Sequence, residues 1–233
     1  MTPPNEVDAK LLDLHGLLGA GGAVQSRLDR TTELAVELIP ACEGAGITVV
    51  TENRPTTEAA AGAATRSLDE RQYAVGEGPC LDAVRTGERV KIKSIAEERR
   101  WPRFIPFAAR RGLIASMSIP LTLQRSTLGA LNLYSLSDPF GVEDENIGDR
   151  IAHQAAVALA NAQAYDNAHT MVDQLTEALE TRDIIGQAKG IIMATRRCTS
   201  EEAFAELRRI SQDRNVKLRD VARQIVIQVN QSD

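Results

Sequence analysis

Residues 114–135 read IASMSIPLTLQRSTLGALNLYS. Two aliphatic runs, Ile114–Leu123 and Leu128–Ser135, flank the polar stretch Gln124-Arg125-Ser126-Thr127, and this pattern predicts an antiparallel hairpin. Side chains two apart on a strand share a face. Ser116 and Ser118 therefore fall on one face of the first strand, and Asn132 and Tyr134 on one face of the second. If those faces coincide they form a polar wall, although a solvated sheet face gives the same alternation.

Working toward the N-terminus, Val90–Ile92 is a third short β run. Pro79 opens a helix that runs through Arg85, with Gly87 at its stop, the proline-first and glycine-last asymmetry of helix ends. Gly46–Thr51 (GITVVT) reads as a strand, and Ala59–Thr65 as a weaker neighbour. Leu28, Thr31, Thr32, Ala35, Leu38 and Ile39 recur at helical spacing before the glycines at 44 and 46. Strands and helices interleave, so the first part of the chain is mixed α+β. Trp101, Phe104 and Phe107 recur at helical spacing and read as packing.

Working toward the C-terminus, residues 142–195 contain no proline and few glycines, which predicts one very long helix or two abutting ones. Ile151, Ala155, Ala158, Ala162, Tyr165, His169, Val172, Thr176 and Leu179 follow alternating steps of four and three. That is a heptad seam, read as the spine of a coiled-coil homodimer; the alternative is a helix that packs its own sheet. Thr199-Ser200-Glu201-Glu202 is a capping box and starts a new helix. Ala203, Phe204, Leu207 and Ile210 give that helix an apolar face, and Leu218, Val221, Ala222, Ile225 and Val229 define one more. With the end of the long helix these make a three-helix bundle.

The chain has 233 residues and a net charge of -5. The charge is unevenly spread: from Arg182 to Arg223 ten basic residues face six acids, so this segment carries +4 and the remainder -9. A small bundle with free basic side chains suits an anionic partner. The three cysteines, Cys42, Cys80 and Cys198, form no CxxC pair, so neither a disulfide framework nor a zinc site is indicated. No window resembles a membrane span, and the start lacks a basic stretch followed by an apolar one, so a soluble cytoplasmic protein without membrane contact is expected. The histidines at 15, 153 and 169 are too scattered for a catalytic or metal site.

Three ordered blocks, Ile185-Gly186-Gln187-Ala188-Lys189-Gly190-Ile191-Ile192-Met193, Ala203-Phe204-x-x-Leu207-Arg208 and Lys217-Leu218-Arg219-Asp220-Val221-Ala222, together resemble the ANTAR domain. That resemblance implies binding to tandem hairpins in nascent leader RNA, which blocks a terminator and lets transcription continue, typically as a dimer. The RNA-contact candidates are Gln187, Lys189, Arg208, Gln212 and Lys217, with Ala188 and Gly190 allowing close backbone approach. Ala188 and Gly190 can equally serve helix packing, and Phe204, Leu207, Met193 and Val221 read as core.

Gly76-Glu77-Gly78-Pro79-Cys80, Arg100-Trp101-Pro102, Ser116-x-Ser118-x-Pro120-Leu121 and Leu128-Gly129-Ala130-Leu131-Asn132-Leu133-Tyr134 resemble GAF domains of the actinobacterial type that precede ANTAR domains. This implies a GAF-type antiparallel sheet with flanking helices, joined by a long helix to a three-helix ANTAR bundle. The organisation expected is an N-terminal extension (1–27), a GAF-like sensory domain (28–164), a helical linker (165–174) and an RNA-binding domain (175–233). Cys80, Ser116, Ser118, Asn132 and Tyr134 are the candidate sensor pocket for an unidentified small-molecule or redox signal. No cofactor is expected. Two rival readings are a DNA-binding regulator, from the two short basic helices, and a thiol enzyme using Cys80 or Cys42.

Overall fold

The computed structural model describes residue 10, residues 24–124 and residues 126–230. The chain divides into two compact units, Met1–Ala164 and Tyr165–Asp233. The expected extension 1–27 lies largely outside the described residues.

In the first unit the elements are α1 (Val24–Leu38), β1 (Gly44–Thr51), β2 (Arg54–Ala61), α2 (Thr65–Val75), α3 (Pro79–Thr86), β3 (Val90–Ile92), α4 (Ile105–Arg110), β4 (Ala115–Leu123) and β5 (Ser126–Ser135). The described strands form one antiparallel sheet in the order β2-β1-β5-β4-β3. The hairpin forms with Ser118 opposite Asn132 and Ser116 opposite Tyr134, so the two polar faces do coincide. Strand β5 begins at Ser126, two residues earlier than its apolar pattern suggests. Gln124 takes the left-handed turn conformation (φ 57) that lets so short a connection close. Residues 54–61 pair with β1, whereas Thr65 already belongs to helix α2, so the weak strand expected at 59–65 is shifted upstream.

Both sheet faces are covered. Ala115, Met117, Ile119, Leu121, Leu131 and Leu133 on one face join Leu34 and Leu38 of α1 and Ile151, Ala155 and Leu159 of the long helix α5 (Val142–Arg196) in a single apolar core. Gly148 lets α5 lie close to the sheet, because a Cβ there would collide with Ile119 and crowd Leu133 and Met117. On the other face Leu68, Ile92, Trp101, Phe104, Ala108, Leu113 and Tyr134 form a second cluster. Trp101 and Phe104 are thus packing residues, as their spacing suggests.

The burial of Ile151 and Ala155 corrects the N-terminal half of the heptad seam: those side chains are used by the unit's own core. From Tyr165 onward the seam is exposed, and Tyr165, Met171, Val172, Leu175 and Leu179 all stand open on α5. Val172 and Leu179 are seven residues apart, as are Ala168 and Leu175, a repeat that keeps one face of a helix apolar.

In the second unit the last turns of α5 are followed by α6 (Ser200–Arg214) and α7 (Leu218–Asn230). The capping box is formed: Thr199 Oγ1 accepts from Glu202 N at 3.3 Å, and Glu202 Oε2 accepts from Thr199 N at 2.8 Å. Asn215 closes α6 in the left-handed conformation (φ 50). The core is small, with Ala188, Ile192, Ala203, Leu207, Val221 and Ala222 buried in it. Among the described residues no helix is long and apolar enough to cross a membrane.

Candidate functional site

The C-terminal unit presents its basic residues in two classes. Four are engaged by carboxylates: Arg196 and Arg209 by Glu206, Arg209 also by Asp213, Arg219 by Glu177, and Arg223 loosely by Asp220. Arg182, Lys189, Arg197, Arg208, Arg214 and Lys217 make no ion pair among the described residues, so their charge is free for a partner. Exposed pairs are worth little in water, but a cation already facing a carboxylate offers less to an incoming phosphate.

Three of the free cations are aligned. On α6, Arg208 and Gln212 follow Phe204 by one and two turns and are exposed. On α5, Arg182 and Lys189 lie two turns apart on one face. The two helices meet where the Lys189 ammonium sits 5.8 Å from the centre of the Phe204 ring. Three of the candidate contacts, Lys189, Arg208 and Gln212, therefore belong to one stripe. Gln187 is exposed but about 200° round α5 from Lys189, on a different face that it shares with Gly190. Lys217 is exposed at the start of α7, where its carbonyl accepts from Asp220 N and Val221 N.

Ala188 requires correction as a contact candidate. It is fully buried in the bundle core, so its small side chain serves the packing of the three helices. Gly190 is exposed, and a Cβ added there would meet nothing within 4 Å, so its smallness is not demanded by the fold. Leu207 and Val221 are core residues as expected, but Phe204 is not: it is 37% exposed. Its place in the apolar pattern of α6 concealed this, since it sits at the edge of the buried face.

In the N-terminal unit the polar wall is roofed by helices α2 and α3 and forms a closed hydrogen-bond network. Asp69 of α2 is its centre. Its Oδ1 accepts from Tyr134 Oη at 2.5 Å and from Asn132 Nδ2 at 2.9 Å, and its Oδ2 accepts from Thr57 Oγ1 at 3.1 Å. Asn132 also donates to Thr48 Oγ1 (2.9 Å) and accepts from Ser118 Oγ (2.8 Å). Cys80 Sγ reaches Thr48 Oγ1 at 3.2 Å, while Cys80 N donates to Gln72 Oε1, whose amide in turn donates to Tyr134 Oη, both at 2.9 Å. Thr48 already accepts from Asn132 and Cys80, so its proton goes to Tyr73 Oη at 2.7 Å. Tyr73 then donates to Thr57 at 2.8 Å, and Thr57 donates to Asp69. Every donor chain ends on the carboxylate.

The site thus joins Cys80, Ser118, Asn132 and Tyr134, while Ser116 is buried beside them with its hydroxyl unpartnered. Asp69, Gln72, Thr48, Thr57 and Tyr73 were missed by the sequence reading. Thr65, Asp69 and Gln72 do recur at helical spacing, yet polar residues at that spacing ordinarily mark the wet face of a helix. Gly46 supplies the space: a Cβ there would collide with the Asp69 carboxylate.

Electrostatically the network opposes thiol chemistry. Burial pushes the Asp69 carboxyl up to about 6, against the pull of its hydrogen bonds. Burial, with Asp69 nearby, pushes the Cys80 thiol up to about 12, and burial does the same to Cys42. A thiol so raised carries almost no thiolate at neutral pH, which disfavours a nucleophilic or oxidant-sensing role.

Comparison with known families places both units. The model described as "GAF domain" matches residues 23–160, more than half of the chain, and the model described as "ANTAR domain" matches residues 173–226. The chain belongs to the GAF family and carries an ANTAR domain. No curated protein matches it. Among solved structures, the GAF domain of an Acinetobacter phosphoenolpyruvate-protein phosphotransferase is 15% identical, with a TM-score of 0.56 over 72% of this chain and 99% of that one. The GAF domain of the corresponding enzyme from Coxiella burnetii is 17% identical, with a TM-score of 0.55 over 69% and 96%. The type II free methionine-R-sulfoxide reductase of Thermoplasma acidophilum is 19% identical, with a TM-score of 0.50 over 59% and 93%. At these identities the likeness is one of fold. The GAF–ANTAR architecture is that of a regulator with a sensory domain, rather than of a catalyst.

Proposed function

We propose that this protein is a cytoplasmic transcription antitermination regulator that binds tandem hairpins in nascent leader RNA through its ANTAR domain. Residues 28–164 sense a signal, residues 165–174 link, and residues 175–233 bind. The observation that carries this reading is the sorting of charge on the ANTAR bundle. Lys189 and Arg208 keep free cations on one stripe with the exposed amide of Gln212, and Lys217 and Gln187 stand exposed on other faces, while neighbouring arginines are paired with Glu206, Asp213 and Glu177. Arginine, lysine and amide side chains on a rigid helical surface are what phosphates and splayed loop bases require.

The active species is a homodimer. The exposed stripe Tyr165, Val172, Leu175 and Leu179 needs an apolar partner, and two copies of one helix can pair along it in register, setting two RNA faces for two hairpins. The GAF network around Asp69, with Cys80, Ser116, Ser118, Asn132 and Tyr134, is the sensor end. A small polar molecule is the signal it favours over an oxidant, because its thiol is buried and protonated.

The test is transcription in vitro through a leader recovered by crosslinking the protein to its own cell's RNA. Adding the full chain is expected to raise read-through of the terminator, and disrupting either hairpin to abolish that rise. Read-through unchanged by the protein refutes antitermination.

A further inference from the structure

We infer that Phe204, capped by the Lys189 ammonium, is a stacking platform for one unpaired RNA base, and that the groove between α5 and α6 around it grips a loop rather than a duplex. The inference rests on the RNA-binding reading above and adds to it the residue that recognises single-stranded character.

Phe204 is anomalous as a packing residue. Among the described residues the bundle core buries six side chains, none of them aromatic, and leaves this ring at its rim. A lone half-exposed aromatic is ordinary by itself; what distinguishes this one is the groove it lines. That groove is lined by Ala178, Arg182, Ile185, Gly186 and Lys189 together with Phe204. At Gly186 an added Cβ would meet nothing within 4 Å, so the floor is open beside the ring.

The charge in and beside the groove selects the occupant. Arg182 and Lys189 line it, Arg208 lies one turn beyond Phe204, and all three lack ion-pair partners among the described residues. Asp183 is the one acid among the groove's lining residues. A ring with Arg182 and Lys189 in its groove and Arg208 one turn away suits a base whose own phosphate is anionic. An apolar protein segment would leave the cations unused. Bases in a hairpin loop are splayed and present a π-face, whereas bases in a duplex are already stacked. Lys189 completes the platform, since its ammonium 5.8 Å from the ring centre is held there by the ring's quadrupole and stays available to the phosphate.

The experiment uses the full chain and a hairpin RNA selected in vitro for binding to it, with 2-aminopurine placed in turn at each loop position. Binding is expected to quench one loop position. Phe204→Leu, which keeps an aliphatic contact but has no ring face, is expected to lose that quench and bind about tenfold more weakly, with melting unchanged, as one lost base stack requires. Phe204→Tyr is expected to restore both, and Phe204→Met gives the same comparison as Leu with a longer side chain. Wild-type quenching and affinity in both the Leu and Met variants overturn the platform while leaving RNA binding intact. Failure to select any RNA that binds the wild-type chain overturns the RNA-binding reading itself, and the platform with it.

Discussion

Replacing Asp69 by Asn isolates the cost of holding a carboxylate under the GAF sheet. Burial raises this group from 3.8 to about 6, so in the folded state it takes up its proton before the unfolded chain does as pH falls. The stability it contributes is therefore fully present below about pH 3.8 and is lost as pH rises to about 6. A shift near two units corresponds to about 3 kcal/mol in full, of which about 1.4 kcal/mol is lost between pH 5 and pH 7.5. Asn can accept from Tyr134 and Asn132 as Asp69 does, and the Thr48–Tyr73–Thr57 hydroxyl chain can reverse to meet its amide. The variant should therefore fold and lack this titration. Trp101 is the chain's only tryptophan and is buried in the cluster against this same sheet face, so its fluorescence reports unfolding of the GAF domain alone. Urea unfolding followed at Trp101 should show wild type losing about 1.4 kcal/mol relative to Asp69→Asn between pH 5 and pH 7.5. A constant difference between the two proteins across that window refutes the buried, raised carboxyl.

On the ANTAR surface, Lys189→Ala and Arg208→Ala should each weaken RNA binding by about 1 to 3 kcal/mol with melting intact, whereas Arg209→Ala, whose cation is spent on Glu206 and Asp213, should change affinity far less. Equal losses at all three, measured by titration, would remove charge sorting as the basis of the site. At micromolar concentration light scattering should report twice the 25.3 kDa chain mass, and Leu175→Glu should return it to one chain; a dimer that survives that change lies elsewhere. A thiol reagent should modify the half-buried Cys198 in the native protein and reach Cys42 and Cys80 only after unfolding. Native modification of Cys80 at the rate of a free thiol would reinstate it as a redox sensor.

Much of the fold was legible because its signals are local. The hairpin at 115–135, the proline-to-glycine helix at 79–87 and the Thr199 capping box are each written in adjacent residues. The lack of proline over 142–195 announced a helical stretch but left one helix or two abutting ones open, and it is one helix of 55 residues. Helix α2 escaped because it buries Thr65, Asp69 and Gln72, and a buried polar face at helical spacing is indistinguishable from a wet one until the sheet beneath it is known. The heptad seam was over-extended for the opposite reason: alanines at 155 and 158 suit a coiled coil and a sheet-packing helix equally. Periodicity likewise buried Phe204, which the small bundle has no room to enclose. The polar residues of the hairpin were found, but the carboxylate they serve comes from a segment more than forty residues away, and only the folded sheet brings them together.

Free cations on the ANTAR bundle are expected to read structured RNA. Competition for the full chain between a tandem-hairpin RNA and duplex DNA of equal charge, at moderate salt, tests it most directly. Preference for the RNA that persists as salt is raised, and that falls in Lys189→Ala, is the result expected here. Equal affinity for the two, declining in parallel with salt, would reduce the interface to unspecific electrostatics and contradict the account.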